Sequence, residues 1–280
     1  MIYPELIYYP GHHADRLAAR VWRTAQPIGD VVCLHGIISH GGWYESSCSH
    51  LASRGFRVHF LERRGSGLNS LQRGEIDHWT TWVEDVVQYI KQIDGRGPTI
   101  LLGISWGAIL ATSIARRHAD MLAGLALICP GLFSFKAANR FQRLALRMAD
   151  CCGLRSKRVA VPLREPSLFT NSAQRQRYIA EDPFALRTIT INFAINNLAL
   201  LKQATDAPEE IELPVLLMLA SSDPITDNAS TRAFVERMHH PDRTIIEYAN
   251  ASHTLEFEDD PSQYFKDLAD WCRRQSSSTT

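Results

Sequence analysis

The chain has no apolar run long enough to span a membrane; its longest candidates are broken by Gly, Pro or charge. It has no charge bias either. Thirty basic residues face thirty acidic ones, so nothing in the overall balance draws it to nucleic acid, and no nucleic-acid partner is expected. The opening Met1-Ile2-Tyr3-Pro4-Glu5 lacks the basic stretch and apolar core of a signal peptide. The six cysteines show no paired metal-ligand spacing, and adjacent Cys151 and Cys152 are poorly placed for an unstrained bridge. Free thiols, a cytoplasmic location and no metal or organic cofactor are the expectation. Repeats and low-complexity blocks are absent as well. What is present is 280 residues, 45% hydrophobic and 21% charged, the balance of a globular protein with one large domain or a domain with an insertion.

Short apolar runs alternate with amphipathic stretches. Glu5 to Tyr9 and Leu17 to Thr24 read as an opening antiparallel pair. Asp30 to Leu34, Arg57 to Leu61, Pro98 to Leu102, Leu122 to Cys129, Leu213 to Leu219 and Arg243 to Tyr248 read as further strands. Between them, Thr80 to Ile93 carries Trp82, Val86, Tyr89, Ile90 and Ile93 at helical spacing. Tyr44 to Ser53, Ala108 to Arg117, Asn228 to Met238 and Pro261 to Arg273 are the other expected helices. This alternation implies a mostly parallel eight-stranded sheet with helices on both faces.

Residues 132–212 break the rhythm with helical patterns and no convincing strand. They are expected to form a helical cap inserted into a core of 1–131 and 213–275, with 276–280 as a flexible tail. In this segment Phe141, Leu144, Ala145 and Met148 read as one helix face, and Phe193 to Leu201 as another apolar stretch. Basic residues crowd Lys136 to Arg177, opposed only by Asp150 and Glu165. A solvated helix face accounts for that charge; weak contact with an anionic membrane surface is the alternative.

Gly103-Ile104-Ser105-Trp106-Gly107 lies between an expected strand and an expected helix. A serine with a glycine two residues away on each side, at such a turn, fits the nucleophile-elbow pattern. The pattern gains weight from its partners. His253, in Asn250-Ala251-Ser252-His253-Thr254, follows the last expected strand and can carry an imidazole to the serine. Asp223 follows the penultimate strand and suits the orienting acid, whereas Asp227 precedes Asn228-Ala229-Ser230 and suits a helix N-cap. After the strand ending at Leu34 comes His35-Gly36-Ile37, where the backbone amide of Ile37, with that of Trp106, is the expected oxyanion hole. His35 reads as a structural hydrogen-bonding residue.

Taken together, the chain resembles the α/β-hydrolase superfamily, and within it the monoacylglycerol lipase and lysophospholipase-like group. Those proteins carry His-Gly-x-Gly-Glu-His-x-x-x-Tyr at the oxyanion loop; this chain keeps His35, Gly36, His40 and Tyr44 at that spacing. Glu62-Arg63-Arg64-Gly65-Ser66-Gly67 is similar to the family's Asp-x-Arg-Gly-x-Gly loop. Departures are Ile38 and Ser39 for the family's Gly and Glu, Trp43 where Arg is common, and Glu256 where His is frequent. They remove hydroxyl-binding groups and add apolar surface. The resemblance implies an ester-cleaving serine hydrolase acting on a small-molecule acyl ester. An apolar pocket is expected from Leu132, Phe133, Phe141, Phe193 and Leu198, with Trp43 as a further substrate contact. Thioesterase, acyltransferase and peptidase chemistry use the same triad and stay open, as does a non-catalytic binding protein of this fold.

Overall fold

Each apolar run bounded by turn residues becomes a strand, and the computed structural model describes residues 2–94 and 97–277. The strands are β1 (Glu5–Pro10), β2 (Arg16–Trp22), β3 (Asp30–Leu34), β4 (Arg57–Leu61), β5 (Thr99–Ile104), β6 (Gly124–Ile128), β7 (Arg158–Ala160), β8 (Thr188–Thr190), β9 (Val215–Ala220) and β10 (Arg243–Tyr248). Eight of them form one sheet in the order β1-β2-β4-β3-β5-β6-β9-β10. β2 joins both β1 and β4 antiparallel, and every pairing from β4 to β10 is parallel. β3, β5, β6 and β9 are buried nearly throughout, as a parallel sheet covered on both faces requires.

The helices are α1 (Glu45–Ser53), α2 (Trp79–Gln92), α3 (Trp106–Arg117), α4 (Arg140–Cys151), α5 (Ala173–Glu181), α6 (Ile191–Thr205), α7 (Asn228–Glu236) and α8 (Ser262–Ser277). α1 packs with α8, while α2, α3 and α6 pack together, α3 lying along β5 and β6. None of the described helices is long and apolar enough to cross a membrane. α2 buries Trp82, Val86, Tyr89 and Ile90, the stripe expected from its spacing. α8 continues through Ser276 and Ser277, whose hydroxyls donate to the Cys272 and Arg273 carbonyls, so the expected tail loses its first two residues to the helix. Residues 278–280 of that tail lie outside the described residues.

The excursion between β6 and β9 holds α4, α5 and α6 and, against expectation, an antiparallel pair, β7 with β8. Each strand has only three residues, too few to show an alternation in sequence. The excursion is fastened to the core at several points. Leu186 N–H donates to the Ile38 carbonyl, and Asp182 accepts from Trp43 Nε1 at 2.7 Å and lies 3.1 Å from His40 Nε2.

Strand register sets the geometry of one sheet edge. Leu34 pairs with Gly103, Ile104 with Ile128, Ile128 with Met218, and Ala220 with Tyr248. The loops that follow β3, β5, β9 and β10 therefore leave the same carboxyl edge, which brings His35, Ser105, Asp223 and His253 into one region.

The packing at α3 is tight enough to be tested. A Cβ on Gly107 would stand 2.2 Å from the Leu34 carbonyl oxygen, a backbone atom that cannot move aside cheaply. Gly107→Ala is expected to lower stability by about 3 kcal/mol or more. Gly153→Ala, at φ +72° with nothing near its Cβ, should cost only about 1–2 kcal/mol of backbone strain. Urea unfolding midpoints check the contrast; equal losses would contradict it.

Candidate active site

Ser105 sits between β5 and α3 with φ 52° and ψ −115°, a region costly for a residue with a side chain. The surroundings hold it there. Its N–H donates to the Ile128 carbonyl at 2.9 Å, and its carbonyl accepts from Ala108 and Gly131. Gly103 is needed beside it because a Cβ there would lie 2.5 Å from the Ala108 Cα.

The expected partners converge on this serine. His253 Nε2 is 2.9 Å from Ser105 Oγ, and His253 Nδ1 is 2.7 Å from Asp223 Oδ2. The other Asp223 oxygen accepts from the Ile225 and Thr226 amides at 2.8 and 3.0 Å. Burial alone raises the Asp223 pKa, but attraction to His253, its hydrogen bond and the two amides outweigh burial and hold the carboxyl below its ordinary value. An ionised Asp223 accepts from Nδ1–H, which leaves the Nε2 lone pair facing the serine hydroxyl. Asp227, the competing acid, caps α7: it accepts from the Ser230 N–H at 3.0 Å and the Ser230 hydroxyl at 2.7 Å.

Ile37 and Trp106 lie against Ser105 on the wall of one cavity. Among the described residues, no group accepts a hydrogen bond from either amide. Gly36 lets the loop close on the serine; a Cβ there would be 3.4 Å from the Ser105 Cβ. His35 is a structural group, with Nδ1 2.8 Å from the Gly36 carbonyl and Nε2 accepting from the Arg63 N–H at 3.0 Å. Burial, with Arg63 beside it, holds its pKa well below the usual imidazole value.

The cavity beside Ser105 has a volume of about 530 Å³ and is mainly apolar, with Ile109, Val161, Leu163, Ile189, Leu198 and Leu201 in its wall. The residues expected to line it divide. Leu198 does so. Leu132 and Phe133 line a neighbouring groove of about 680 Å³, whose wall shares Leu198 and Leu201 with the cavity. Phe193 is fully buried instead, 4.8 Å from the Trp82 ring and behind Trp106. Phe141 points away: it is 68% exposed, beside Leu144 at 55% and Met148 at 61%. The cavity side of α4 is Gln142, Ala145, Leu146 and Ala149, so the expected four-residue face splits: Ala145 borders the cavity and the other three do not. Trp43 is packed against Phe169 and Phe257 and bonded to Asp182, and the cleft it borders near Ser105 holds only about 10 Å³. That space is too small for a substrate group.

Several residues near the site were not signalled by sequence. Asn197 accepts from Trp106 Nε1 at 2.6 Å and ties α6 to the elbow. Asp182 ties the excursion to the loop after β3. An Asn in an apolar helix, or an Asp just past a helix end, carries no pattern that marks such a role. Cys129 places its sulfur within 4.8 Å of donor atoms of Asp223 and His253. Burial and Asp223 push its thiol pKa well up, and the imidazole nitrogens are already engaged, so the trio is poorly suited to a metal.

Fold and geometry define a serine hydrolase of the α/β type, and the comparisons agree. The family model described as serine aminopeptidase, S33, matches residues 25–260, and the chain belongs to that family. Human monoglyceride lipase is 24% identical over 282 residues, covering 98% of this chain and 91% of that protein. An abhydrolase domain-containing protein of Dictyostelium discoideum is 23% identical over 265 residues; the match covers 93% of this chain but 28% of that protein. Among solved structures, a Paleococcus ferrophilus monoacylglycerol lipase superposes with a TM-score of 0.82 at 22% identity, covering 93% of this chain and 99% of that one.

One buried acid near His253 makes a pH prediction. Glu256 Oε1 accepts from the Ser46 and Ser47 amides at the start of α1, and Oε2 has no partner among the described residues. Burial pushes its pKa up to about 7, against the pull of those hydrogen bonds and of Arg175. The folded state then holds a proton that the unfolded state releases at lower pH, so this group lowers stability as pH rises from about 4.5 to about 7. Glu256→Gln keeps an acceptor for both amides without the charge. It is expected to match wild type near pH 4.5 and to exceed it by roughly 3 kcal/mol at pH 8. Unfolding free energies across that range check it; a pH-independent difference would contradict it.

Proposed function

We propose that the protein hydrolyses carboxylic esters of small acyl substrates through an acyl-enzyme on Ser105. The observation that carries this reading is the single imidazole of His253 bridging Ser105 Oγ and buried Asp223. His253 removes the serine proton as Oγ attacks the ester carbonyl, Asp223 steadies the imidazolium, and the same proton passes to the leaving alcohol. Ile37 and Trp106 amides receive the oxyanion. A water activated by His253 then releases the acid and restores the serine.

The apolar cavity suits an acyl chain, in keeping with the lipase names of the human and Paleococcus relatives. The family label suggests a peptide amine as substrate, but the charged residue in the cavity wall is Lys136, which repels an α-ammonium group. Residues 132–212 act as a cap that shapes this cavity. Its α4 presents Phe141, Leu144 and Met148 outward beside Arg140, Arg143 and Arg147, a combination suited to an anionic lipid surface. Six free cysteines fit a reducing cytoplasm.

Wild type should be labelled by a fluorophosphonate and should cleave p-nitrophenyl acyl esters. Ser105→Ala should abolish labelling, and Asp223→Asn should lower kcat by about 10⁴-fold. Asp227→Ala should lose about 1 kcal/mol of stability with little change in kcat. Equal labelling of Ser105→Ala sinks the nucleophile assignment, and no rate on any ester sinks the ester reading. For the lipid surface, sedimentation with phosphatidylserine vesicles should recover wild type but not a Phe141→Ser, Leu144→Ser, Met148→Ser variant, whose rate on a short soluble ester is retained. Identical sedimentation of the two rules out α4 as the contact.

A further inference from the structure

Two arginines follow β4, and they are treated very differently. Arg64 is paired: its guanidinium donates to Asp85 at 2.7 and 2.9 Å and also meets Asp15. Arg63 is buried, and no described carboxylate lies within ion-pair distance of it. Its Nη2 donates to the Ile37 carbonyl at 2.8 Å and to Ser66 Oγ at 3.2 Å, and its Nη1 to the Gly36 carbonyl at 3.4 Å. Its Nε has no partner, and the guanidinium carbon stands 4.3 Å from the centre of the Trp106 ring. A buried cation without a counter-ion is costly, so its position requires a reason.

The hydrogen-bond pattern supplies one. The Gly36 carbonyl and the Ile37 N–H are opposite ends of one peptide group. Because His35 Nε2 accepts from the Arg63 N–H, its Nδ1 carries the proton and donates to the Gly36 carbonyl. That carbonyl thus receives both His35 and the charged Arg63. Donors at the C=O end of a peptide polarise it and strengthen the N–H at the other end. The same guanidinium braces the ring of Trp106, whose amide is the second proposed oxyanion donor.

We propose that Arg63 is a positioning residue of the oxyanion hole: it fixes and polarises the Gly36–Ile37 peptide so that the Ile37 N–H binds the developing oxyanion more strongly than the substrate carbonyl. Its charge acts through the peptide and touches no substrate atom. The inference rests on the acyl-enzyme reading of Ser105, and no covalent step is added to that mechanism.

The test uses the full chain with Arg63→Met, Arg63→Gln and Arg63→Lys. Arg63→Met and Arg63→Gln should lower kcat on p-nitrophenyl butyrate by about 10- to 100-fold, with KM within about twofold. A trifluoromethyl ketone, which forms an anionic adduct with a reactive serine, is compared with its methyl ketone, which binds without one. The preference for the trifluoromethyl ketone should shrink by the same factor as kcat, and Arg63→Lys should restore part of both. A merely structural role would weaken both ketones together and leave their ratio unchanged, and that result overturns the proposal. If Arg63→Met does not fold, the ratio for Arg63→Lys decides: a value between one and the wild-type value supports the proposal, and the full wild-type value overturns it. A wild type inert to fluorophosphonate sinks the acyl-enzyme reading and this proposal with it; a reactive wild type with an unchanged ratio in the variants sinks this proposal alone.

Discussion

At the crossing of β3 and α3 the chain has no room for a side chain: a Cβ on residue 107 would stand 2.2 Å from the Leu34 carbonyl oxygen, and only glycine allows the approach. Beside that crossing Ser105 holds a positive φ between β5 and α3, its N–H on the Ile128 carbonyl and its own carbonyl accepting from Ala108 and Gly131. The serine is held out at the edge of the sheet by packing, not by its own preference. The parallel register of β3, β5, β6, β9 and β10 then delivers every other loop of the site to that edge.

Around this point the protein buries several ionisable groups and gives each a different environment. Asp223 is stabilised as an anion by an imidazole and two amides. His35 is kept neutral by burial and by the nearby Arg63. Glu256 sits at the start of α1, where the backbone amides favour its charge and burial opposes it. Asp182 gathers His40 and Trp43 and so ties the loop after β3 to the excursion above it. Backbone or aromatic partners hold each of them, and the exception is the second Glu256 oxygen, which has no partner among the described residues and whose burial costs stability once the group ionises.

The sheet and the meeting of Ser105, Asp223 and His253 were legible in the sequence because they depend on order and local pattern: apolar runs of strand length, glycines around Ser105, and Asp and His loops after the right strands. The cavity wall was not, because a residue's hydrophobicity does not reveal which way it points. Phe193 and Phe141 are equally apolar, yet one is sealed behind Trp82 and the other faces outward. Helical spacing grouped Phe141 with Ala145, while the packing of α4 over the cavity separated them. Trp43 looked like a substrate contact because it replaces a family arginine; its indole is occupied by Asp182, a partner 139 positions away that no local pattern announces. The β7–β8 pair escaped notice for lack of length.

α6 belongs to two structures at once. Phe193, Leu200 and Ala204 are buried where it lies along α3, while Leu198 and Leu201 line both the cavity and the neighbouring groove. β6 and β9 are hydrogen-bonded parallel neighbours, so the chain between them must travel back along the sheet, and α6 makes that return. The excursion therefore cannot be exchanged between relatives as a self-contained cassette cut at its two ends. A graft that discarded α6 would uncover α2 and α3, and one that replaced the stretch from α4 to β8 would have to keep the ties of Asp182 and Leu186 to the loop after β3.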